Sequence, residues 1–329
     1  MIEGKKILIT GGAGFIGSNL IEKFLLQGNF VVCLDNFSTG KRCNLAQWMK
    51  HPNFTLIEGD ICDFEVCKKA VEGVDFVSHQ AALGSVPRSV KDPVSTVAVN
   101  VSGFVNVLFA AQQAGVKRLI YASSSSVYGD APNMPMVENV IGRQLSPYAV
   151  SKRTDELFAE NIASLYNMEI IGLRYFNVFG RRQSSDSDYA AVIPRFIYAF
   201  LKHESPQICG DGTQSRDFTP VDNVLLANEL AMETNRPEAV NTVYNVACGG
   251  AITVSELFLR LRAEVARKDS TAASIQAVHV PPRPGEILHS FSDISKARDL
   301  LNYTPEVSVE TALRETVDWY YAQYNCSCC

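Results

Sequence analysis

Tyr148 and Lys152 stand four residues apart in the run Ser146-Pro147-Tyr148-Ala149-Val150-Ser151-Lys152. On a helix that spacing puts both side chains on one face. An ammonium beside a phenol stabilises the phenolate, so a tyrosine that ordinarily titrates near ~10 can accept a proton near neutrality. A neighbouring pair on a helix surface has the same spacing and no chemistry, so the pair gains meaning only in company. Upstream, Tyr121-Ala122-Ser123-Ser124-Ser125-Ser126-Val127-Tyr128-Gly129 sets four consecutive hydroxyls just past a predicted strand. In open α/β sheets the C-terminal ends of the strands are where ligands bind. Ser124 and Ser125 are the candidate proton relays beside Tyr148, with Ser126 as a further polar contact.

A second constellation lies at the N-terminus, in Thr10-Gly11-Gly12-Ala13-Gly14-Phe15-Ile16-Gly17. It follows a predicted strand and opens a predicted helix. There glycines permit a tight turn and close backbone approach to a pyrophosphate, and the helix N-terminus offers free N–H groups to its oxygens. The spacing of Gly11, Gly14 and Gly17 is GxxGxxG, and a bare strand–helix turn without a ligand has the same glycines. Asp35 argues for a ligand. It closes the second predicted strand, eighteen residues after Gly17, where a carboxylate accepts hydrogen bonds from a ribose diol and repels a 2′-phosphate. The expected cofactor is therefore NAD. Asp60 and Ile61 end the third predicted strand, where an adenine edge could be bonded, and Gln80-Ala81-Ala82 follows the fourth, where small residues allow close approach. Phe15, Ile16, Asn36, Ser38, Gly40, Asn100 and Phe176 complete the expected cofactor contacts, together with Tyr148 and Lys152.

The elements that must position these groups alternate between two periodicities. Strands are predicted over Lys6–Thr10, Phe30–Leu34, Phe54–Glu58, Asp75–His79, Arg118–Ala122 and Glu169–Arg174; helices over Phe15–Leu26, Val94–Ala114 and Pro147–Tyr166. Strands separated by helices predict βαβ units and a Rossmann-type, doubly wound parallel sheet. After about Asn177 the pattern turns to loops and shorter elements, such as helices over Ala190–Leu201 and Ser255–Val265. The expected organisation is a nucleotide-binding domain over 1–180, with later segments returning to it, and a smaller, partly interleaved α/β lobe over 181–329.

Composition narrows the classes of function. The chain has 329 residues, 47% hydrophobic, enough for a sizeable core and about two domains. Thirty basic against 35 acidic residues, a net charge of −5, exclude a general nucleic-acid binder, which needs a Lys/Arg excess to neutralise phosphates. No apolar run is read as a membrane span, and Met1–Lys6 leads into a strand and not a signal-peptide core, so a cytoplasmic protein is expected. The nine cysteines show no metal-ligand spacing. They are read as free thiols, no metal site is expected, and the Cys326–Cys329 tail is read as a frayed terminus.

Taken together, the glycine turn, strand-end Asp, serine run and YxxxK resemble the extended short-chain dehydrogenase/reductase family, over nearly the whole chain. Further matching pieces are Arg174-Tyr175-Phe176-Asn177-Val178-Phe179-Gly180, Gly210 to Phe218, and Arg283-Pro284-Gly285-Glu286. Dehydratases of the family carry an Asp-Glu pair, and decarboxylases a Glu, just after the catalytic Ser or Thr. Here that stretch is Ser124-Ser125-Ser126, so the resemblance is to nucleotide-sugar epimerases. It implies that Asn177, Arg216 and Arg283 hold the diphosphate, where guanidinium forks suit phosphate oxygens. It also puts Glu286 on the uridine ribose, where the family often has Asp. Gln80 to Ser89, Ser146–Lys152, Arg181-Arg182-Gln183 and Tyr189 to Pro194 are similar to the UDP-N-acetylhexosamine 4-epimerase branch. That similarity brings Ser85, Arg88, Gln183, Ala191 and Val192 to the sugar-nucleotide side. Ser290 stands where enzymes restricted to UDP-glucose and UDP-galactose carry a bulky Tyr, leaving room for a 2-acetamido group.

The resemblance implies C4 inversion of a UDP-N-acetylhexosamine through a transient 4-keto sugar and bound NADH. It also implies polysaccharide-precursor supply, and a homodimer formed by pairing helices Val94–Ala114 and Pro147–Tyr166. The rival readings are a UDP-glucose/galactose or UDP-hexuronic acid 4-epimerase, in which Arg88 meets a carboxylate, and an NAD-dependent sugar dehydrogenase or reductase with net redox.

Overall fold

The computed structural model describes residues 1–185, 190–282 and 288–326. The first half of the chain supplies β1 (Lys6–Thr10), β2 (Phe30–Asp35), β3 (Phe54–Glu58), β4 (Phe76–His79), β5 (Arg118–Ser124) and β6 (Glu169–Tyr175). The second half supplies the short strands β7 (Val178–Phe179), β8 (Gln207–Cys209), β9 (Ser215–Arg216) and β10 (Thr219–Pro220), then β11 (Thr242–Val246), β12 (Ile252–Thr253), β13 (Val278–Val280) and β14 (His289–Ser290). The helices of the first half are α1 (Phe15–Leu26), α2 (Phe64–Ala70), α3 (Val86–Lys91), α4 (Pro93–Val97), α5 (Phe104–Gln113) and α6 (Pro147–Tyr166). Those of the second are α7 (Val192–Leu201), α8 (Val221–Glu233), α9 (Val254–Ala266), α10 (Ser295–Leu301) and α11 (Val309–Asn325).

The main sheet runs β11-β6-β5-β4-β1-β2-β3, and every pairing in it is parallel. Parallel neighbours need long crossovers, and helices on both faces bury the inner strands, while the edge strand β3 stays partly exposed. One face carries α1 and α8, with Leu20, Phe24, Val224 and Ala231 at full burial; the other carries α2, α5 and α6, with Val107, Leu108 and Ala163. β11 is drawn from beyond residue 240, so the chain returns to the first sheet after entering the second lobe. That lobe has its own core, in which Phe196, Phe200, Leu257, Leu261 and Val317 pack α7, α9 and α11 together. The strand order reverses between β1 and β4. A crevice must open there, because the crossovers on either side leave in opposite directions.

Two expectations need correction. The helix read over Val94–Ala114 is not uniform: α4 and α5 flank a π-helical turn over Ala98–Gly103. A π turn inserts one residue into the helical ladder, and tertiary contacts impose it. Asn100 Oδ1 accepts from the Leu83 N–H at 2.7 Å, while a side chain at Gly103 would meet Ile61 at 2.6 Å. The second concerns apolar run length, since the continuous Pro93–Gln113 segment, 21 residues long, does have the length and composition to cross a membrane. Its C-terminal half packs inside the protein, while Val94 and Val97 near its start are exposed. Phe104, Val107, Leu108, Ala110 and Ala111 lie in the core against the sheet.

Candidate active site

The crevice at the β1/β4 reversal is a cavity of about 440 Å³. Its floor is the glycine turn. Gly11 has φ +65° and passes so close to the end of β4 that a Cβ there would lie 2.7 Å from Ala81 Cα. Gly17, in the first turn of α1, approaches the same turn from the other side, and its Cβ would fall 2.2 Å from Gly11 O. The Gly11 N–H donates to Leu34 O at 2.8 Å, which ties the turn to β2. Asp35, at the end of β2, accepts from the Ala13 N–H at 2.8 Å and the Phe37 N–H at 2.7 Å. The carboxylate thus braces the turn and lines the cavity at once. Asp60 also lines it, bonded to the Asn36 amide and the Cys62 N–H, each at 2.8 Å. Burial pushes the Asp60 carboxyl up, but those donors outweigh it and hold it below the ordinary carboxylate range.

At the far end of the crevice stand the proton-handling groups. Ser146 caps α6, its Oγ accepting from the Ala149 N–H at 3.1 Å, and Pro147 occupies the first turn. That start to the helix fixes the azimuth of Tyr148, which is half-buried on the cavity wall with Lys152 one turn further on. Lys152 is 2% exposed and its Nζ donates to Ala122 O at 3.0 Å. Ser124 ends β5 and faces the same cavity. Its Oγ accepts from both the N–H of Ser126 (3.2 Å) and the hydroxyl of Ser126 (3.0 Å). Among the described residues no acceptor takes the Ser124 proton, so the hydroxyl is set to donate into the crevice. Ser123 is committed elsewhere, donating to Glu156 at 2.6 Å. Beneath them His79 is buried and neutral: burial, helped by the charge of Lys152, pushes it down to about 3, and its Nδ1 pairs with Thr10 Oγ1 at 2.9 Å.

The cavity therefore brings together Gly11, Gly14, Phe15, Ile16, Gly17, Asp35, Asn36, Ser38, Asp60, Ile61, Gln80, Ala81, Ala82, Ser124, Tyr148, Lys152, Asn177 and Gln183. Other expected contacts stand elsewhere. Gly40 packs against Ala13 and Asp35, behind the carboxylate. Asn100 was expected at the cofactor, but its side chain bonds the backbone of Leu83 and the Ser151 hydroxyl. Phe176, also expected there, is fully buried against Tyr128 with ring centroids 6.0 Å apart, because its strand end turns it into a separate core. Ser125 and Ser126 form a 3₁₀ turn beside the cavity, and Ser85 caps α3 with φ +101°, near Arg88. Ala191 and Val192 begin α7. Arg283 and Glu286 lie outside the described residues.

A second cluster belongs to the smaller lobe. Arg216 on β9 and Ser290 on β14 are register partners in a three-stranded sheet. The adjacent Asp217, unread as a functional residue in the sequence, holds that lobe's loops. It accepts from the N–H groups of Cys248 and Gly249, each at 3.0 Å, and its backbone N–H donates to Ser290 O at 2.9 Å. Burial pushes the Asp217 carboxyl up to about 6, against the pull of those N–H donors. Asn177 links the two clusters, lining the cavity while its amide donates to Asp217 O at 3.2 Å.

The profile of the NAD dependent epimerase/dehydratase family matches residues 7–247. That decides the family. This chain belongs to the NAD-dependent epimerase/dehydratases. It is 32% identical over 317 residues to a UDP-glucose 4-epimerase of Mycolicibacterium smegmatis, covering 96% of this chain and 98% of that one. Among solved structures it is similar to a UDP-N-acetylglucosamine 4-epimerase from Methanobrevibacter ruminantium M1, in complex with UDP-N-acetylmuramic acid. There the identity is 40%, the TM-score 0.90, and the coverage 98% and 100%. It is also similar to a UDP-glucuronic acid 4-epimerase from Bacillus cereus, in complex with UDP-glucuronic acid and NAD. That match has 31% identity, a TM-score of 0.87, and coverage of 97% and 100%.

The residues present fit the family's cofactor. Two glycines whose Cβ atoms would fill the turn leave backbone N–H groups open to a pyrophosphate, and a carboxylate ends β2 where a ribose diol binds. In addition, Gln183 Oε1 is buried on the cavity wall with no partner among the described residues. A buried acceptor of this kind calls for a donor.

Proposed function

We propose that this protein is a 4-epimerase interconverting UDP-N-acetylglucosamine and UDP-N-acetylgalactosamine, within the nucleotide-sugar 4-epimerase activity its family supports. The observation that carries the choice of sugar is Ser290. It is 8% exposed and in register with Arg216, so it is part of a built strand pair and not a free loop. By the family resemblance, a side chain this small is what leaves room for a 2-acetamido group at a position where a Tyr would fill it.

Bound NAD would supply the hydride acceptor for C4 and return the same hydride, so turnover involves no net redox. The protein's part is proton handling and grip. Tyr148 takes the 4-hydroxyl proton, directly or through Ser124, and returns it to the C4 oxygen once the ring has presented its other face. Lys152, as a fixed positive charge, stabilises the phenolate. Between the two half-reactions the 4-keto sugar must present its other face, which requires a tight hold on UDP and a loose one on the hexose. Asn177, Arg216 and Arg283 suit the first demand, and short hydroxyls suit the second.

The test is a panel of UDP-sugars, with products resolved by NMR. UDP-GlcNAc and UDP-GalNAc are expected to interconvert without added NAD. Ser290→Tyr is expected to cut turnover of the N-acetylated pair by at least about tenfold while sparing UDP-glucose; equal loss on both classes would refute the volume argument. A second reading, a UDP-hexuronic acid 4-epimerase, is favoured by Arg88 and by the similarity to the Bacillus cereus enzyme, and fastest turnover of UDP-glucuronate would select it.

A second copy of the chain is the partner we propose. Val90, Val94 and Val97 on α3 and its continuation, with Leu157 and Leu165 on α6, are apolar yet 47–79% exposed. They stand on helices that pack together, since α3 and α4 both pack on α6. Sedimentation velocity is expected to give twice the chain mass. Leu165→Glu is expected to give the single mass, and a wild-type protein already sedimenting as one chain would rule the dimer out.

A further inference from the structure

Tyr148, Lys152 and Asp155 occupy positions i, i+4 and i+7 of α6, a single stripe along the helix. The first two line the cavity; the third lies directly behind them, with its side chain fully buried. Asp155 Oδ2 accepts from Lys152 Nζ at 3.2 Å, and Oδ1, also buried, has no partner among the described residues. A carboxylate left half-bonded in a core is unfavourable to folding. Glu156, the next residue, shows what a structural carboxylate looks like here. It is gripped by Ser123, Arg153 and Arg174, and despite its burial those partners hold its carboxyl low.

Resting on the role given above to Tyr148 and Lys152, we propose that Asp155 is a positioning residue for catalysis. It is the buried counter-ion that keeps Lys152 protonated and aims its remaining N–H at the cavity. An ammonium has three N–H donors. Ala122 O takes one and Asp155 takes another, which leaves one for the crevice that Lys152 lines. A lysine 2% exposed to water has lost the solvent that would otherwise offset its charge, so that charge needs a partner within the protein. A neutral amine would give Tyr148 no electrostatic help. The other titratable groups around Asp155 do not replace this bond. Glu156 and Arg153 on α6 and Arg174 on β6 are engaged with one another, His79 on β4 is neutral, and Tyr121 on β5 stays un-ionised, its phenol pushed well up by burial and then by the charges of Glu156 and Asp155. Burial pushes the Asp155 carboxyl up to about 7, opposed by Lys152. The Lys152 ammonium is thus what favours the charged form of Asp155 in a site where burial opposes it.

The test compares wild type, Asp155→Asn and Asp155→Glu as NAD-loaded proteins. The pH dependence of kcat/KM on whichever UDP-sugar turns over is one readout. The other is an NMR titration of the Lys152 side chain in protein carrying isotope-labelled lysine, assigned by its absence in Lys152→Met. With Asn the high-pH limb and the Lys152 midpoint are expected to move down together by about one pH unit. Asp155→Glu, which keeps the charge, is expected to hold both near their wild-type places even if kcat falls. Unchanged midpoints in Asn, or the same downward movement in Glu, would overturn the proposal. A uniform loss of activity at every pH would do so too, since that marks a structural role. If wild type turned over no UDP-sugar, the proposed function would fall, and the lysine titration would still decide the counter-ion question.

Discussion

Tyr148→Phe is expected to lower kcat by about 10²–10⁴-fold and to leave UDP-sugar affinity close to wild type. The substitution removes one oxygen and little else. Ser146 and Pro147 start the helix independently of residue 148, and a phenyl ring fills the same half-buried place on the cavity wall. What disappears is the group that takes the 4-hydroxyl proton, an interaction that counts only while C4 is being oxidised. An interaction confined to the transition state shows in kcat and not in binding. Steady-state kinetics with UDP-sugar binding by calorimetry would check both halves. A Phe variant with comparable turnover would remove Tyr148 from the mechanism.

Gly17→Ala is expected to weaken NAD binding by roughly 100-fold, about 2.7 kcal/mol, and to lower the melting temperature as well. The added methyl meets only backbone. It would stand 2.2 Å from Gly11 O, 2.8 Å from Gly12 Cα and 2.9 Å from Gly11 C. No flexible side chain can yield there, so α1 must back away from the turn and withdraw its N–H groups from the pyrophosphate. Overpacking of this kind typically adds about 1–3 kcal/mol of destabilisation. Gly14→Ala provides the graded control, because its methyl would sit 3.1 Å from Gly11 O, tight but tolerable after a small shift. Titrating NAD into cofactor-stripped protein should rank wild type, Gly14→Ala and Gly17→Ala in that order. Equal affinity across the three would mean that the turn does not bind the cofactor.

Where the sequence carried its own punctuation, the fold was legible. Lys6–Thr10, Phe15–Leu26, Phe54–Glu58 and Pro147–Tyr166 coincide with observed elements, because glycines, the Ser146-Pro147 start and strand-end polar residues mark their limits. The π turn at Ala98–Gly103 left no such mark, since it depends on Leu83 and Ile61, both distant in sequence. The helices Val221–Glu233 and Val309–Asn325 went unread for a related reason: loop-rich surroundings hide their periodicity, although both are long. At the site, types and spacing brought the turn, Asp35, Ser124, Tyr148 and Lys152 into one cavity. They could not say which way a side chain turns once its strand ends. Asn177 faces the crevice, but its neighbour Phe176 faces a core. Asp155 was invisible as a partner of Lys152, because in the sequence it is one more acid on a charged helix, and only tertiary burial isolates it.

The proposed reaction is oxidation and return at a single carbon. Its most direct test starts from UDP-N-acetylglucosamine bearing deuterium at C4, incubated with purified protein and no added cofactor, with the products read by NMR. The expected product is UDP-N-acetylgalactosamine that keeps its deuterium at C4, with no label in water and no free NADH. A C4-inverted product that had exchanged its label with solvent, or NADH accumulating in place of an isomer, would contradict the account.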